Sequence, residues 1–311
     1  MFRIILDTDP GIDDALALFF ALASPEVQLE AITTVGGNVN VNHTTHNALA
    51  LLELAGRTDI PVARGSNLPI VCQPVYAGNV HGDNGLGGVH LPVTQIQPVA
   101  AHAIDVIIET IMHSPGEITL VPVGPLTNIA LALRREPRIA QSVRGVVIMG
   151  GALRVPGNIT PGAEFNIYVD PHAAQIVFHA GWPIRLVTLD ATMQAELQRE
   201  QVKSLIHNGS PVIIAMERML SFYFDVFCPQ NGISAFHMHD PLCLAAALLP
   251  ELITWEPAFV DVELHGTLTL GETVAYFGPR VPQPHNLLAS VGVDSQRFIQ
   301  LFLQRIKDHF A

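Results

Sequence analysis

Four aspartates fall within eight residues of one another near the start of the chain: Asp7, Asp9, Asp13 and Asp14, in the run DTDPGIDDA. The run sits between a strand-like apolar segment, Arg3 to Leu6, and the helical pattern DDALALFFALAS, so it occupies a strand-to-helix turn. A helix N-terminus offers about half a positive charge, far less than four adjacent carboxylates require. One or two such acids could act simply as turn caps or dipole partners. Four in this frame are read as a site for a hard divalent cation, Ca²⁺ or Mg²⁺, because oxygen-only ligands in a tight turn suit these ions better than zinc.

A second cluster lies far away in the chain, at HMHDP: His237, His239, Asp240 and Pro241. Here the acid could complete a metal site while an imidazole titrating near neutrality serves as acid or base. A transition-metal site of the HxH type lacks a third histidine at ligand spacing. A third group is rich in amides and short acids: Asn38 in GGN, His81 and Asp83 in HGDNGL, and Asn158, Glu164 and Asn166 in GNITPGAEFNIYVD. Such residues often mark only turns. Gathered at the carboxyl end of a parallel sheet, where open α/β folds bind ligands, they would suit a neutral polyhydroxylated molecule better than a phosphate, since no arginine is among them.

These residues need a scaffold, and the chain alternates accordingly. VQLEAITTV reads as a strand, Thr44 to Leu54 as a helix and PVARG as a short strand. AIDVIIETIMHS then reads as helix, EITLVPVG as strand, LTNIALALRR as helix, RGVVIMGG as strand, DPHAAQIVFHAG as helix and IRLVTLD as strand. This order predicts βαβ crossovers and a mostly parallel sheet with helices on both faces, an α/β fold. Beyond Asp190 the pattern predicts helices over Gln194 to Ile206 and Pro211 to Val226, another from about Asp240, strands at FVDVELHG and LLASVGVD, and a closing helix SQRFIQLFLQRIKDHF. No repeat or linker divides the 311 residues, so one domain is expected.

Composition narrows the chemistry further. Hydrophobic residues make up 49% and charged ones 14%, which excludes disorder and coiled coil. With Lys+Arg 16 against Asp+Glu 28 the net charge is −12, which argues against a nucleic-acid partner. No apolar run is long enough to span a membrane and no signal segment is visible. The three cysteines, Cys72, Cys228 and Cys243, show no CxxC spacing; a reduced, cytoplasmic setting follows as the expectation. Three functional readings compete. The aspartate pair Asp9 and Asp7 invites comparison with the phosphotransfer motif of haloacid dehalogenase-like enzymes, but Gly11 stands where that motif wants Thr or Val, and no lysine precedes Lys203. A non-catalytic sugar or nucleoside receptor lacks the expected signal sequence and would not need Asp9 with His239. The third reading, a metal-binding hydrolase, rests on a family resemblance.

At this point the motifs coincide with those of a known family. DTDPGIDDA, GGN, HGDNGLGG, VPVGPLTNIA, VIMGGA, GNITPGAEFNIYVDP and HDP occur in order and at similar spacing, so over essentially its whole length the chain resembles the inosine-uridine preferring nucleoside hydrolases of pyrimidine or mixed specificity. The resemblance implies Ca²⁺-dependent cleavage of the N-glycosidic bond of ribonucleosides, pyrimidine or inosine, to ribose and free base in nucleoside salvage. It implies an open, mixed, Rossmann-like sheet, one Ca²⁺ per subunit and a homotetramer or homodimer. Carried over position by position, it makes Asp9, Asp14, Asp240 and the Val123 carbonyl the metal ligands, with Asp9 also the base that activates a metal-bound water. His239 would assist departure of the base. Asp13, Asn38, Met149, Asn158, Glu164, Phe165 and Asn166 match ribose-pocket positions, and His81 and His239 match the pair of histidines found in members that act on pyrimidine or mixed nucleosides. Tyr223 is an aromatic candidate for the nucleobase within SFYFDVFCPQNGISAFHM, where Phe222, Phe224 and Phe227 equally suit helix packing.

Overall fold

Strands rich in Val, Ile and Leu that are buried on both faces need helices above and below them, and that is how this chain is built. The structure is a computed structural model and describes residues 1–92, 94–203, 205, 210–279 and 283–311. Its first half contains strands β1 (Phe2–Thr8), β2 (Val27–Thr34), β3 (Val62–Arg64), β4 (Ile118–Pro122), β5 (Gly145–Met149) and β6 (Ile184–Val187). Between them run helices α1 (Ile12–Leu22), α2 (Val41–Leu54), α3 (Gly78–His81), α4 (Ala103–His113), α5 (Thr127–Arg135), α6 (Ile139–Ser142), α7 (Phe165–Val169) and α8 (Pro171–Phe178), with α9 (Leu189–Thr192) following β6. The remainder comprises β7 (Glu196–Leu197), α10 (Arg199–Lys203), α11 (Pro211–Phe222), α12 (Cys228–Asn231), β8 (Phe236–His237), α13 (His239–Leu248), β9 (Ile253–Val262), β10 (Thr273–Phe277), β11 (Leu287–Val293) and α14 (Ser295–Phe310).

Nine strands form one sheet in the order β10-β9-β11-β6-β5-β4-β1-β2-β3. From β11 to β3 every neighbouring pair is parallel, while β9 runs antiparallel to both β11 and β10. The expected mixed, mostly parallel sheet is therefore present, with β1 at its interior. The carboxyl ends of β1, β2, β4, β5 and β6 open on one edge. Apolar residues of α1, α11, α13 and α14 form the core on one face, and those of α4, α5 and α8 form the core on the other. Helix α1 is buried at every position, and α13 from Asp240 to Leu248. Such all-round burial removes the usual amphipathic stripe and fixes both helices, with the acids at their first turns, against the sheet.

The structure departs from the expected elements in several places, among them β9, which runs Ile253–Val262 where FVDVELHG was expected to be the strand. The predicted helix over Gln194 to Ile206 is reduced to α10, because Glu196 and Leu197 instead pair with His237 and Phe236 in an antiparallel ladder; Ile206 lies outside the described residues. Helix α2 starts at Val41 rather than Thr44, since the Asn40 side chain caps it by accepting from the Asn42 and His43 N–H groups. The edge strand β10 was not legible in the sequence. The helix expected over Pro211 to Val226 is α11, whose end widens into a π-turn over Tyr223–Phe227. No described helix is long and apolar enough to cross a membrane.

Candidate active site

The site grows from the turn between β1 and α1. Asp14, three residues into α1, accepts from the Gly11 N–H at 2.9 Å and the Asn38 Nδ2–H at 3.0 Å on Oδ2, and from the Asp9 N–H at 3.1 Å and the Thr8 hydroxyl on Oδ1. It therefore ties strand, turn and helix together. Asp9 accepts from the Asn38 N–H at 2.6 Å through Oδ2, whereas its Oδ1 is buried without a hydrogen-bond partner. A Cβ at Gly37 or Gly124 would run into this carboxylate, so glycine at both positions is what lets backbone close around it. Asp240 enters from the first turn of α13, and oxygens of Asp13, Asp14 and Asp240 come within 4.8 Å of one another. No other three His, Cys, Asp or Glu side chains among the described residues meet that spacing; the resemblance implied Asp9 in the place of Asp13.

All of these carboxylates are buried, and burial drives each of them above the ordinary carboxylate range. Repulsion adds to burial: Asp14 raises Asp9 and Asp13, while Asp13, Asp14 and Asp9 together raise Asp240. Beneath them Asp7 accepts from the Thr33 hydroxyl and from Asn128 Nδ2–H at 2.9 Å, and burial pushes it up to about 7. No lysine or arginine lines the adjoining cavity. The described site thus holds no permanent protein cation to balance its acids, and the partnerless Asp9 Oδ1 fits the donor set of an oxygen-loving metal ion.

Above the acids lies a cavity of about 310 Å³, a size suited to a small ligand. It brings together Asp13, Asn38, His81, Val123, Met149, Asn158, Glu164, Phe165, Asn166, Tyr223, His239 and Asp240, with His237 beside them; Asp9 and Asp14 lie behind its wall. Asp83 is exposed and stays outside. The Val123 carbonyl accepts from Asn166 Nδ2–H at 2.7 Å. Glu164 caps α7, accepting from the N–H groups of Asn166 at 2.9 Å, Gly151 at 3.0 Å and Ile167 at 3.1 Å. Asn158 holds the Phe165 N–H at 2.9 Å. Tyr223 packs against Phe236 and Phe227 with ring centroids 4.7 and 4.8 Å away, and burial pushes its phenol well above the ordinary value.

The two histidines differ from the sequence expectation of an imidazole titrating near neutrality. His81 Nδ1 accepts from the Ile12 N–H at 3.1 Å, and burial pushes its pKa down to about 4. Its approach to Asp13, 3.9 Å, is therefore a contact of a neutral ring and not an ion pair. His239 Nδ1 lies 2.7 Å from the Thr192 hydroxyl; burial, then the neighbouring His237 and His81, push it down to about 3. Both rings are neutral at pH 7 and each offers one N–H. Sequence reasoning passed over Thr192, Met193, Ile159 and Ile233, because a threonine ending a one-turn helix and scattered apolar residues carry no chemical signature.

Comparison with known proteins follows the same outline. A family described as inosine-uridine preferring nucleoside hydrolase matches residues 4–300. The pyrimidine-specific ribonucleoside hydrolase RihA of Enterobacter sp. is 40% identical over 304 residues, 97% of either chain. Among solved structures, the plant nucleoside hydrolase PpNRh1 superposes with a TM-score of 0.94 at 37% identity, covering 98% of this chain and 99% of its own. A purine-preferring ribonucleoside hydrolase from Gardnerella vaginalis gives 0.93 at 34%, covering 99% and 98%.

Proposed function

The chain belongs to the inosine-uridine preferring nucleoside hydrolase family, and on that premise we propose how its residues cleave a ribonucleoside. The enzyme class is N-glycosidic bond hydrolysis. The observation that carries the site assignment is the buried Asp9 Oδ1, without a hydrogen-bond partner among the described residues, behind a cavity lined by Asp13, Asp240, His81 and His239. Asp9, Asp14, Asp240 and the Val123 carbonyl would hold one Ca²⁺ per chain, with Asp13 close enough to share the charge. When bound, such an ion supplies the positive charge that lets the acids coexist ionised and lowers the pKa of a nearby water.

Glycosidic cleavage passes through an oxocarbenium-like state and needs an activated water on one side of the sugar and help for the leaving group on the other. Asp9 takes the proton from the attacking water as its oxygen bonds to the anomeric carbon. The electron pair of the breaking C–N bond goes to the nucleobase. His239 donates a hydrogen bond to that base as it gains charge, and the departed anion takes its proton from solvent while Asp9 returns the water's proton there. Asn38, Asn158, Glu164, Asn166 and Asp13 orient the ribose hydroxyls, Met149 and Phe165 exclude water, and the carboxylates favour the positive sugar. Tyr223 and His81 face the base. The curated relative acts on pyrimidine nucleosides and the Gardnerella protein prefers purines, so uridine and inosine are both substrates to try. We further propose one domain, from the absence of a repeat or linker, a cytoplasmic location, from the cysteine pattern, and a homodimer or homotetramer, from the resemblance.

The test is a panel of uridine, cytidine and inosine, with p-nitrophenyl phosphate as control, scored for reducing sugar, free base and phosphate. Ribose and base are expected from at least one nucleoside, and metal analysis of the same preparation should find about one Ca²⁺ per chain. Phosphate release without ribose would overturn the reaction. Zinc, or no metal in an active preparation, would overturn the ion.

A further inference from the structure

His239 can help a leaving base only if the ring nitrogen turned toward the substrate carries the proton, and a neutral imidazole has two choices. Its Nδ1 faces the Thr192 hydroxyl at 2.7 Å. Thr192 is completely buried at the end of α9, and among the described residues its hydroxyl touches no acceptor other than this nitrogen. A buried hydroxyl hydrogen left without an acceptor costs about 1–3 kcal/mol. The hydroxyl must therefore donate to Nδ1, which leaves the imidazole proton on Nε2. Among the described residues that second nitrogen has no hydrogen-bond partner; it is not among the buried unsatisfied atoms, and His239 lines the cavity. The Ile12 N–H settles His81 in the same way, since a backbone amide can only donate.

We propose that Thr192 is the positioning residue for leaving-group departure: its hydroxyl fixes the orientation and tautomer of His239 so that Nε2–H points into the base end of the cavity. The proposal deepens the hydrolase reading and rests on it. With His81 held in the same form, the cavity presents two N–H donors and so calls for a leaving base with an acceptor atom near the glycosidic nitrogen, such as a pyrimidine O2 or a purine N3. Thr192 does not touch the substrate. It acts by ordering the ring that does, as a buried partner orders a catalytic histidine elsewhere in enzyme chemistry.

The first test reads the tautomer without substrate: ¹⁵N–¹H correlation spectra of the metal-loaded protein, with His239 assigned through its Ala variant. The expected pattern is a protonated Nε2 and an unprotonated, hydrogen-bonded Nδ1; a proton on Nδ1 would overturn the proposal even if the enzyme hydrolyses nucleosides. The second test compares Thr192→Val with Thr192→Ser. Valine should lower kcat on uridine or inosine by about 10- to 100-fold at little change in KM, spare p-nitrophenyl riboside, whose phenolate leaves unaided, and lose the Nδ1 signature. Serine, which keeps the hydroxyl, should restore most of the rate. Equal losses on both substrates, or a valine variant as fast as the parent on nucleosides, would overturn it. A parent enzyme inactive on every nucleoside would instead sink the hydrolase reading and leave the spectrum to decide the tautomer.

Discussion

In the proposed mechanism Asp9 would be both metal ligand and base: one oxygen is held by the Asn38 N–H, while the other has no hydrogen-bond partner among the described residues. Replacing it by Asn keeps shape and hydrogen bonding but removes the proton acceptor. Asp9→Asn is expected to melt as the parent does while kcat falls by about 10² or more; a folded, metal-loaded variant of full activity would show that another group takes the proton. At His239 the decisive comparison is between leaving groups. His239→Ala should sharply lower kcat on inosine or uridine and largely spare p-nitrophenyl riboside. Equal losses on one metal-loaded preparation would mean that the ring only supports Asp240. Since burial pushes His239 down to about 3 and His81 to about 4, neither should contribute a step to the pH–rate profile near 6.5. This last point was not legible in the sequence, where a histidine beside an aspartate looks like a neutral-pH acid, because burial is a property of the packed molecule.

At the scale of elements, the β1–α1 turn was readable because a buried strand, a dense run of acids and a helical period follow one another within a short stretch. The β7–β8 ladder was not, since two residues carry no period and their partners lie far apart in the chain. The turn also sets a pH dependence. Asp7 sits at about 7, and Asp9, Asp13, Asp14 and Asp240 are all displaced upward by burial. A carboxyl whose folded pKa lies above its unfolded one stabilises the fold below the unfolded value, and that stabilisation is lost as pH rises through the folded value. In metal-free protein the midpoint of thermal unfolding should therefore fall from about pH 5 to about pH 8, while the Ca²⁺-loaded form, in which the ion replaces the protons, should hold. Scanning calorimetry with and without a chelator reads the gap between the two forms. A gap that stays constant or narrows with rising pH would contradict this account of the acid cluster.

At the scale of the whole molecule, the two ends of the chain share one core: Phe19 meets Phe310 at 5.8 Å and Phe20 meets Phe302 at 5.6 Å between ring centroids. We propose that the chain unfolds as one unit, so metal-loaded protein should give a single calorimetric transition; two separable transitions would divide it. The same long reach bears on biosynthesis. Asp9, Asp13 and Asp14, in the turn after an interior strand and in the first turn of a fully buried helix, leave the ribosome well ahead of Asp240. Contacts of such sequence separation form late, so the nascent turn must remain hydrated or protonated until α13 docks. If the acids hold the proposed ion, its supply at that moment would set folding yield, and the carboxylates that would drive turnover in the finished enzyme would act as a checkpoint on its assembly.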